Sequence, residues 1–66
     1  MDIESNFKNH KPTVGQVEKY EKIRAKAKEL AYLIDDDCPD CREKSLAFTK
    51  LEEVVFWANA SIARNG

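Results

Sequence analysis

The stretch that decides the fold is Arg42–Arg64, REKSLAFTKLEEVVFWANASIAR, which contains neither glycine nor proline. Its apolar residues recur with the period of an α-helix, and one stripe comprises Ala47, Leu51, Val54, Val55, Ala58 and Ile62. Asp40 followed by Glu43 predicts a capping box at the start of this helix. Asn65-Gly66 marks its end.

This helix is apolar on more than one side. On a helical wheel, Leu46 and Trp57 lie together about a third of a turn away from the main stripe. A third side carries Phe56, Ala60 and Ala63. A helix that is apolar on several sides is normally buried on several sides, and one partner helix cannot cover them all. The pattern therefore predicts that the chain associates with other copies of itself.

Length and composition narrow the class of protein. A chain of 66 residues forms one small domain, and so short a chain buries only ~60% of its unfolded surface. No segment is long and apolar enough to cross a membrane, and the N-terminus lacks the apolar core of a secretory signal. We therefore expect a cytoplasmic protein. The net charge of −1 argues against a general DNA- or RNA-binding protein.

The residues before Asp40 predict a second helix, packed antiparallel to the first. Thr13 and Gln16 form a capping box at its start, and its apolar seam comprises Tyr20, Ile23, Ala27, Leu30 and Ile34. Three acids at its end oppose the macrodipole, so we expect it to end by Ile34 or Asp35. The predicted all-α hairpin has a short N-terminal arm or helix at 1–12, a helix at 13–35, a turn at 36–41 and a helix at 42–64. Ile3 and Phe7 are expected to dock the arm.

Few residues offer catalytic or metal chemistry. Cys38-Pro39-Asp40-Cys41 is a CxxC motif whose thiols are structural or incidental, bind a metal between chains, or perform redox work. Asp35–Asp37 lacks the alternating oxygen ligands of a cation loop. Glu52 and Glu53 are adjacent and point to different sides of their helix. The sequence shows no catalytic triad, phosphate loop or zinc-protease motif, so it predicts no enzyme, no resident metal and no cofactor.

Three sets of polar residues are candidates for binding an anionic ligand. Arg24 and Lys28 are one helical turn apart and suit a phosphate, although pairing with acids of their own helix is the alternative. His10, just before a helix start, can stack on a base or simply be solvated. Arg42, Ser45 and Thr49 lie on neighbouring turns, where three chains can converge on an axis. The alternative is that Arg42 is solvated at the helix terminus and that both hydroxyls bond the preceding carbonyls.

A set of residues in this chain resembles a known family. It comprises Arg24, Lys28, Leu30-Ala31 and Ile34, then Cys38-Pro39, then Arg42-Glu43, Ser45 and Thr49-Lys50-Leu51-Glu52-Glu53, then Trp57-Ala58-Asn59-Ala60 and Ile62-Ala63-Arg64. This pattern is similar to the hairpin domain of phage anti-CBASS (second type) and anti-Thoeris (first type) sponge proteins. It covers roughly residues 10–64.

The resemblance implies a helical hairpin that assembles into a homohexamer and binds cyclic oligonucleotide messengers without cleaving them. Cyclic dinucleotides such as cyclic GMP-AMP are expected between paired protomers. Their base would stack on His10, with Lys11 as the rival position, and their phosphate would meet Arg24 or Lys28. Cyclic trinucleotides such as cyclic tri-AMP are expected where three protomers meet, at Arg42, Ser45, Thr49 and Lys50. The rival interpretations are a helical module that binds a host protein and an enzyme that cleaves the messenger.

Overall fold

The structure, a computed structural model, describes residues 11–66 and consists there of two antiparallel α-helices. Helix α1 spans Val14–Asp37 and helix α2 spans Arg42–Asn65. A short turn, residues 38–41, joins them, and no part of residues 11–66 forms a β-strand. The predicted hairpin is confirmed. The predicted docking of Ile3 and Phe7 lies outside the described residues.

The capping box at the start of α1 is present as predicted. The Thr13 hydroxyl accepts a hydrogen bond from the Gln16 backbone N–H at 3.1 Å, and Gln16 Oε1 accepts one from the Thr13 N–H at 3.0 Å. Gln16 Nε2 also donates to the carbonyl of Ile62 at 3.2 Å. This cap therefore joins the first turn of α1 to the last turns of α2, in addition to satisfying its own backbone.

The capping box predicted at Asp40 and Glu43 is wrong. The N-cap of α2 is Cys41, whose side chain makes no capping hydrogen bond. The Asp40 carboxylate instead accepts from Lys44 Nζ at 2.9 Å. An ion pair with a cation one turn ahead competes for the same carboxylate oxygens that a cap would use.

Helix α1 also runs further than predicted, to Asp37 rather than Ile34 or Asp35. Lys44 supplies the physical reason, because its Nζ donates to the Asp35 backbone carbonyl at 3.1 Å and lies 3.1 Å from the Asp35 carboxylate. A cation at the C-terminus of a helix offsets the macrodipole and satisfies a carbonyl that has no partner within the helix. The Lys44 side chain is only 9% exposed, although Lys44 lies in the first turn of α2 and the hairpin is only two helices thick.

The two helices pack along the predicted stripes, but neither buries any residue fully within the described part of the chain. Two members of the stripes remain exposed, Leu30 at 44% and Val54 at 60%. The wheel placed both on the contact face, whereas the helices meet slightly to one side of them. Leu46, Phe56 and Trp57 are exposed as well, in agreement with the surplus of apolar faces on α2. Two helices alone form a layer too thin to enclose a side chain on all sides.

Candidate ligand-binding site

One side of the hairpin carries a groove that combines cations with aromatic rings. Arg24 lies in this groove, together with Tyr20, Phe56, Asn59, Ala60, Ala63 and Arg64, and its volume is about 460 Å³. Tyr20 is partly buried between the helices, whereas Phe56 is 62% exposed. We call this surface the basic groove, and the name includes the adjoining hollow that Arg24 and Lys28 line.

The antiparallel packing explains why Arg24 and Arg64 share one groove. They are 40 positions apart in the sequence, yet the hydrogen bond from Gln16 to Ile62 places the last turns of α2 beside the first turn of α1. In this register Arg64 lies near the start of α1, and Arg24 lies about three helical turns further along. The groove therefore has a guanidinium toward each end and aromatic side chains between them.

A second hollow continues the same side of the hairpin toward the turn. Arg24 lines both hollows, and Lys28 lines only the second, whose volume is about 430 Å³. Its other lining residues are Ala27, Ala31, Phe48, Leu51, Glu52 and Val55. Arg24 and Lys28, which the sequence proposed as a pair one turn apart, therefore do lie on one continuous surface.

These cations are not neutralised by the acids of the hairpin. Within residues 11–66, no carboxylate lies within 4.0 Å of Arg24, Lys28 or Arg64, whereas Lys26, Lys44 and Lys50 all form ion pairs. The alternative in which Arg24 and Lys28 pair with acids of their own helix is therefore not observed. Glu52 also lines the second hollow, so its carboxylate can compete with an anionic ligand for these cations.

Aromatic and amide groups complete the groove. The Phe56 and Trp57 rings meet edge to face, with centroids 5.1 Å apart and an interplanar angle of 84°. This contact favours one orientation of the Phe56 ring and leaves much of its surface open. The Oδ1 atom of Asn59 is enclosed and has no hydrogen-bond partner among the described residues. An enclosed acceptor without a donor is costly, so a donor from another molecule would stabilise it.

The residues predicted for the three-fold site lie elsewhere, on the first turns of α2. Ser45 Oγ donates to the Cys41 carbonyl at 3.4 Å and Thr49 Oγ1 donates to the Ser45 carbonyl at 3.1 Å, which is the back-bonding alternative. Lys50 Nζ lies 3.1 Å from a Glu53 carboxylate oxygen. Arg42 and Thr49 share one exposed side of the helix, and Lys50 lies about a quarter of a turn away. One chain does not bring these residues into a pocket.

The remaining predicted residue at the start of the hairpin is Lys11, which is exposed and precedes the Thr13 cap. His10 lies outside the described residues. The structure thus brings Arg24 and Lys28 together, and it adds Tyr20, Phe56 and Arg64, which the sequence had assigned to packing or to the helix end. The signal that could have found Arg64 was the predicted hairpin itself, because it places the end of α2 beside the start of α1.

The cysteines and acids form no evident site in a single chain. Cys38 and Cys41 are free and exposed. Residues 11–66 contain no group of three or more His, Cys, Asp or Glu side chains arranged to hold a metal ion. No helix in this part of the chain has the length and hydropathy that crossing a membrane requires. The choice between incidental thiols, a metal between chains and redox work stays open.

Comparison with known proteins gives one family match, which covers residues 1–63 and therefore nearly the whole chain. A comparison with curated proteins found no significant match, and a comparison with solved structures found none either. The matched family is described as the Acb2/Tad1 hairpin domain. This is the anti-CBASS type 2 and anti-Thoeris type 1 family that the sequence pattern resembled. Because the match extends from residue 1 to residue 63 and the chain forms two antiparallel helices, it belongs to the Acb2/Tad1 hairpin domain family.

Proposed function

We propose that this chain is a phage immune-evasion protein, which binds and sequesters the cyclic di- and trinucleotide messengers of bacterial CBASS defence without cleaving them. Two lines of support converge. The family is one of anti-defence proteins of the sponge type. The observation that carries the proposal to this chain is the basic groove, in which aromatic rings accompany cations that have no carboxylate partner within residues 11–66.

The cations of the groove suit the phosphates of a cyclic dinucleotide. Arg24 and Arg64 can each donate two parallel hydrogen bonds to one phosphate, because the guanidinium is planar and forked. Lys28 adds a compact charge one turn beyond Arg24. Because the net charge of the whole chain is −1, binding depends on this local cluster rather than on a general basic surface.

The rings suit the bases. Stacking of a base on an aromatic ring contributes ~1–3 kcal/mol and tolerates different bases. Phe56 offers the more exposed ring, and Tyr20 offers a partly buried one on the opposite helix. His10 is a further candidate at the entrance, with Lys11 as its rival. The enclosed Oδ1 of Asn59 would accept a hydrogen bond from an amino group that reaches it.

The groove of one chain is open, and it covers only one side of a ligand. Binding sites for small molecules commonly bury 70–90% of the ligand, as a general order of magnitude. A second copy of the chain supplies the missing wall, and the exposed Leu46 and Trp57 supply apolar surface for assembly. We therefore propose a homohexamer in the host bacterial cytoplasm. Cyclic dinucleotides lie between paired protomers, and cyclic trinucleotides lie where Arg42, Ser45, Thr49 and Lys50 of three protomers converge.

Sequestration requires no catalytic group. It requires that binding sites outnumber the messenger and that their affinity exceeds that of the messenger's receptor, so the mechanism is mass action. Among residues 11–66, Glu52 is the one carboxylate that lines the two hollows, and Lys44 engages the carboxylates of Asp35 and Asp40 near the turn.

The decisive experiment titrates the purified protein with cyclic GMP-AMP and with cyclic tri-AMP in a calorimeter. Each complex is then denatured and the ligand is analysed by mass spectrometry. We expect saturable binding and recovery of intact ligand. Recovery of linear products would support the cleaving enzyme instead. If neither ligand binds, although light scattering shows the expected oligomer, the chain is better described as a helical module that binds a host protein.

A further inference from the structure

A third hollow adjoins the basic groove on its turn side. It is lined by Lys28, Ala31, Tyr32, Asp35 and Phe48, and its volume is about 230 Å³, roughly half that of each hollow of the basic groove. Lys28, Ala31 and Phe48 also line the second hollow of the basic groove, so the two surfaces are continuous. We call this surface the turn hollow.

A row of residues along α1 connects the basic groove to the turn hollow. It consists of two rings with two cations between them: Tyr20, Arg24, Lys28 and Tyr32. Each is four residues after the one before, a step of about 6 Å along the helix axis. Helix α2 adds a ring at each end of the row, Phe56 in the basic groove and Phe48 in the turn hollow.

From this arrangement we propose that the turn hollow is a nucleobase subsite and that the base it takes is guanine. The inference rests on the proposed function, because this guanine belongs to a cyclic dinucleotide whose phosphates meet Arg24 and Lys28. When the two bases of such a ligand are splayed apart, its groups follow in the order base, phosphate, phosphate, base. The row along α1 has the matching order of ring, cation, cation, ring.

The rings of the turn hollow suit the face of a base. Tyr32 is 63% exposed, so its ring is accessible to a ligand, and Phe48 on the facing helix is half-buried. Stacking on an aromatic ring tolerates different bases, because every base has a π-face. The two rings therefore account for the binding of a base and leave the choice of base to a polar neighbour.

Asp35 is that neighbour. Its side chain is 66% exposed and lines the hollow, and its contact with Lys44 Nζ at 3.1 Å is made through Oδ1. A carboxylate has about four lone-pair sites, so it can accept further hydrogen bonds. Guanine carries two adjacent donors on its pairing edge, N1–H and the exocyclic amino group, which match the two oxygens of a carboxylate. Adenine presents its amino group beside the acceptor N1, which a carboxylate repels.

The test titrates the full chain with cyclic di-GMP, cyclic GMP-AMP and cyclic di-AMP in a calorimeter, first as the native protein and then as Asp35→Asn. The matched control is Asp40→Asn, because Asp40 is the other carboxylate that binds Lys44 and it does not line the turn hollow. We expect the native chain to bind the two guanine-containing ligands about tenfold more tightly than cyclic di-AMP, or better. Asp35→Asn should reduce this preference to about threefold or less, and Asp40→Asn should retain it.

A second pair of variants tests the stacking. Tyr32→Ala should weaken the binding of cyclic di-GMP by about tenfold. Leu33→Ala is its control, because Leu33 is a neighbouring apolar residue that is 54% exposed and lines neither the basic groove nor the turn hollow. It should change the affinity by no more than about twofold. Light scattering and circular dichroism confirm that each variant keeps the native oligomer and helix content.

The outcomes separate this subsite from the proposed function. Equal affinity of the native chain for all three ligands would overturn the subsite and leave the proposed function intact. So would a preference for guanine that survives Asp35→Asn, or a loss in Tyr32→Ala no larger than that in Leu33→Ala. If none of the three ligands binds the native chain, the binding of cyclic dinucleotides and the guanine subsite are both refuted.

Discussion

The two sides of the hairpin are built from the same pair of helices, yet they place their cations differently. On the basic groove side, Arg24 and Arg64 line the hollow with aromatic rings between them, and neither has a carboxylate partner among residues 11–66. On the opposite side, Lys22 and Lys26 line a hollow of aliphatic side chains that include Leu30 and Val54, and Lys26 already pairs with Glu29 at 3.5 Å. A cation that lies beside aromatic rings without a carboxylate partner can meet an anionic ligand directly, whereas a cation that is already paired beside aliphatic side chains offers such a ligand less. The number of charges on a face is therefore less informative than their position.

The largest expected effect is the loss of ligand affinity when a cation of the basic groove is removed. Replacing Arg24 by Ala should weaken the binding of cyclic GMP-AMP by roughly 10–100-fold, because a hydrogen bond to a charged group contributes ~1.5–3 kcal/mol and ~1.4 kcal/mol is tenfold. Lys22→Ala removes the same charge from the other side and should leave the affinity within about twofold. The measurement is calorimetric titration of oligomers of matched size. Equal losses in both variants would show that net charge, rather than position, governs binding.

The second test asks whether the start of α2 forms a separate site. Arg42→Ala should weaken the binding of cyclic tri-AMP by about tenfold or more and spare cyclic GMP-AMP, because Arg42 lines neither hollow of the basic groove. Arg24→Ala should do the reverse. Titrations of both ligands against both variants decide the point. If each variant loses both ligands to the same extent, there are not two independent sites.

A third test concerns the contacts of Lys44, which support both helices where the turn joins them. Lys44→Met removes the side chain that joins Asp35 at the end of α1 to Asp40 in the turn. We expect the Tm to fall by a few degrees, roughly 5 °C, with ligand affinity nearly unchanged. The measurement is circular dichroism at fixed protein concentration. Lys50→Met, which breaks an exposed pair with Glu53, is the matched control and should have a smaller effect.

The same lysine gives a pH dependence. Its hydrogen bonds to Asp40 and Asp35 raise the pKa of Lys44 above the ordinary 10.5. Because the folded pKa lies above the unfolded one, this contribution to stability is fully present below about pH 10.5 and disappears as the pH rises through the folded value. The difference in Tm between the native chain and Lys44→Met should therefore shrink above pH 10.5. A constant difference from pH 8 to pH 12 would contradict the role assigned to this ion pair.

The smallest expected effect concerns the thiols. Replacing Cys38 and Cys41 together by Ser should change neither the oligomer nor the affinity for ligand, because the turn depends on Pro39 and on the Lys44 contacts with Asp35 and Asp40. Light scattering and calorimetry provide the comparison. A simultaneous loss of assembly and of a stoichiometric metal would show that the thiols bind a metal between chains.

Much of the secondary structure was predictable because its causes are local. The Thr13–Gln16 capping box needs only residues three apart, and the helical stripes need only the period of one helix. The pairing of Arg24 with Lys28 on one surface follows in the same way, since they are one turn apart. The prediction failed at Asp40 and at the end of α1 because Lys44 acts across the turn, and a carboxylate that can cap or form an ion pair cannot be assigned from its own neighbours.

The sequence by itself determined that this chain forms two capped helices and that α2 has more apolar faces than one partner can cover. Only the tertiary structure decided that Arg64 and Phe56 join Arg24 and Tyr20 in one groove, and that Leu30 and Val54 open onto the opposite side. The physical reason is that periodicity fixes a residue's angle about the axis of its own helix. The register and lateral offset between two helices depend on contacts such as that of Gln16 with Ile62, which join residues 46 positions apart.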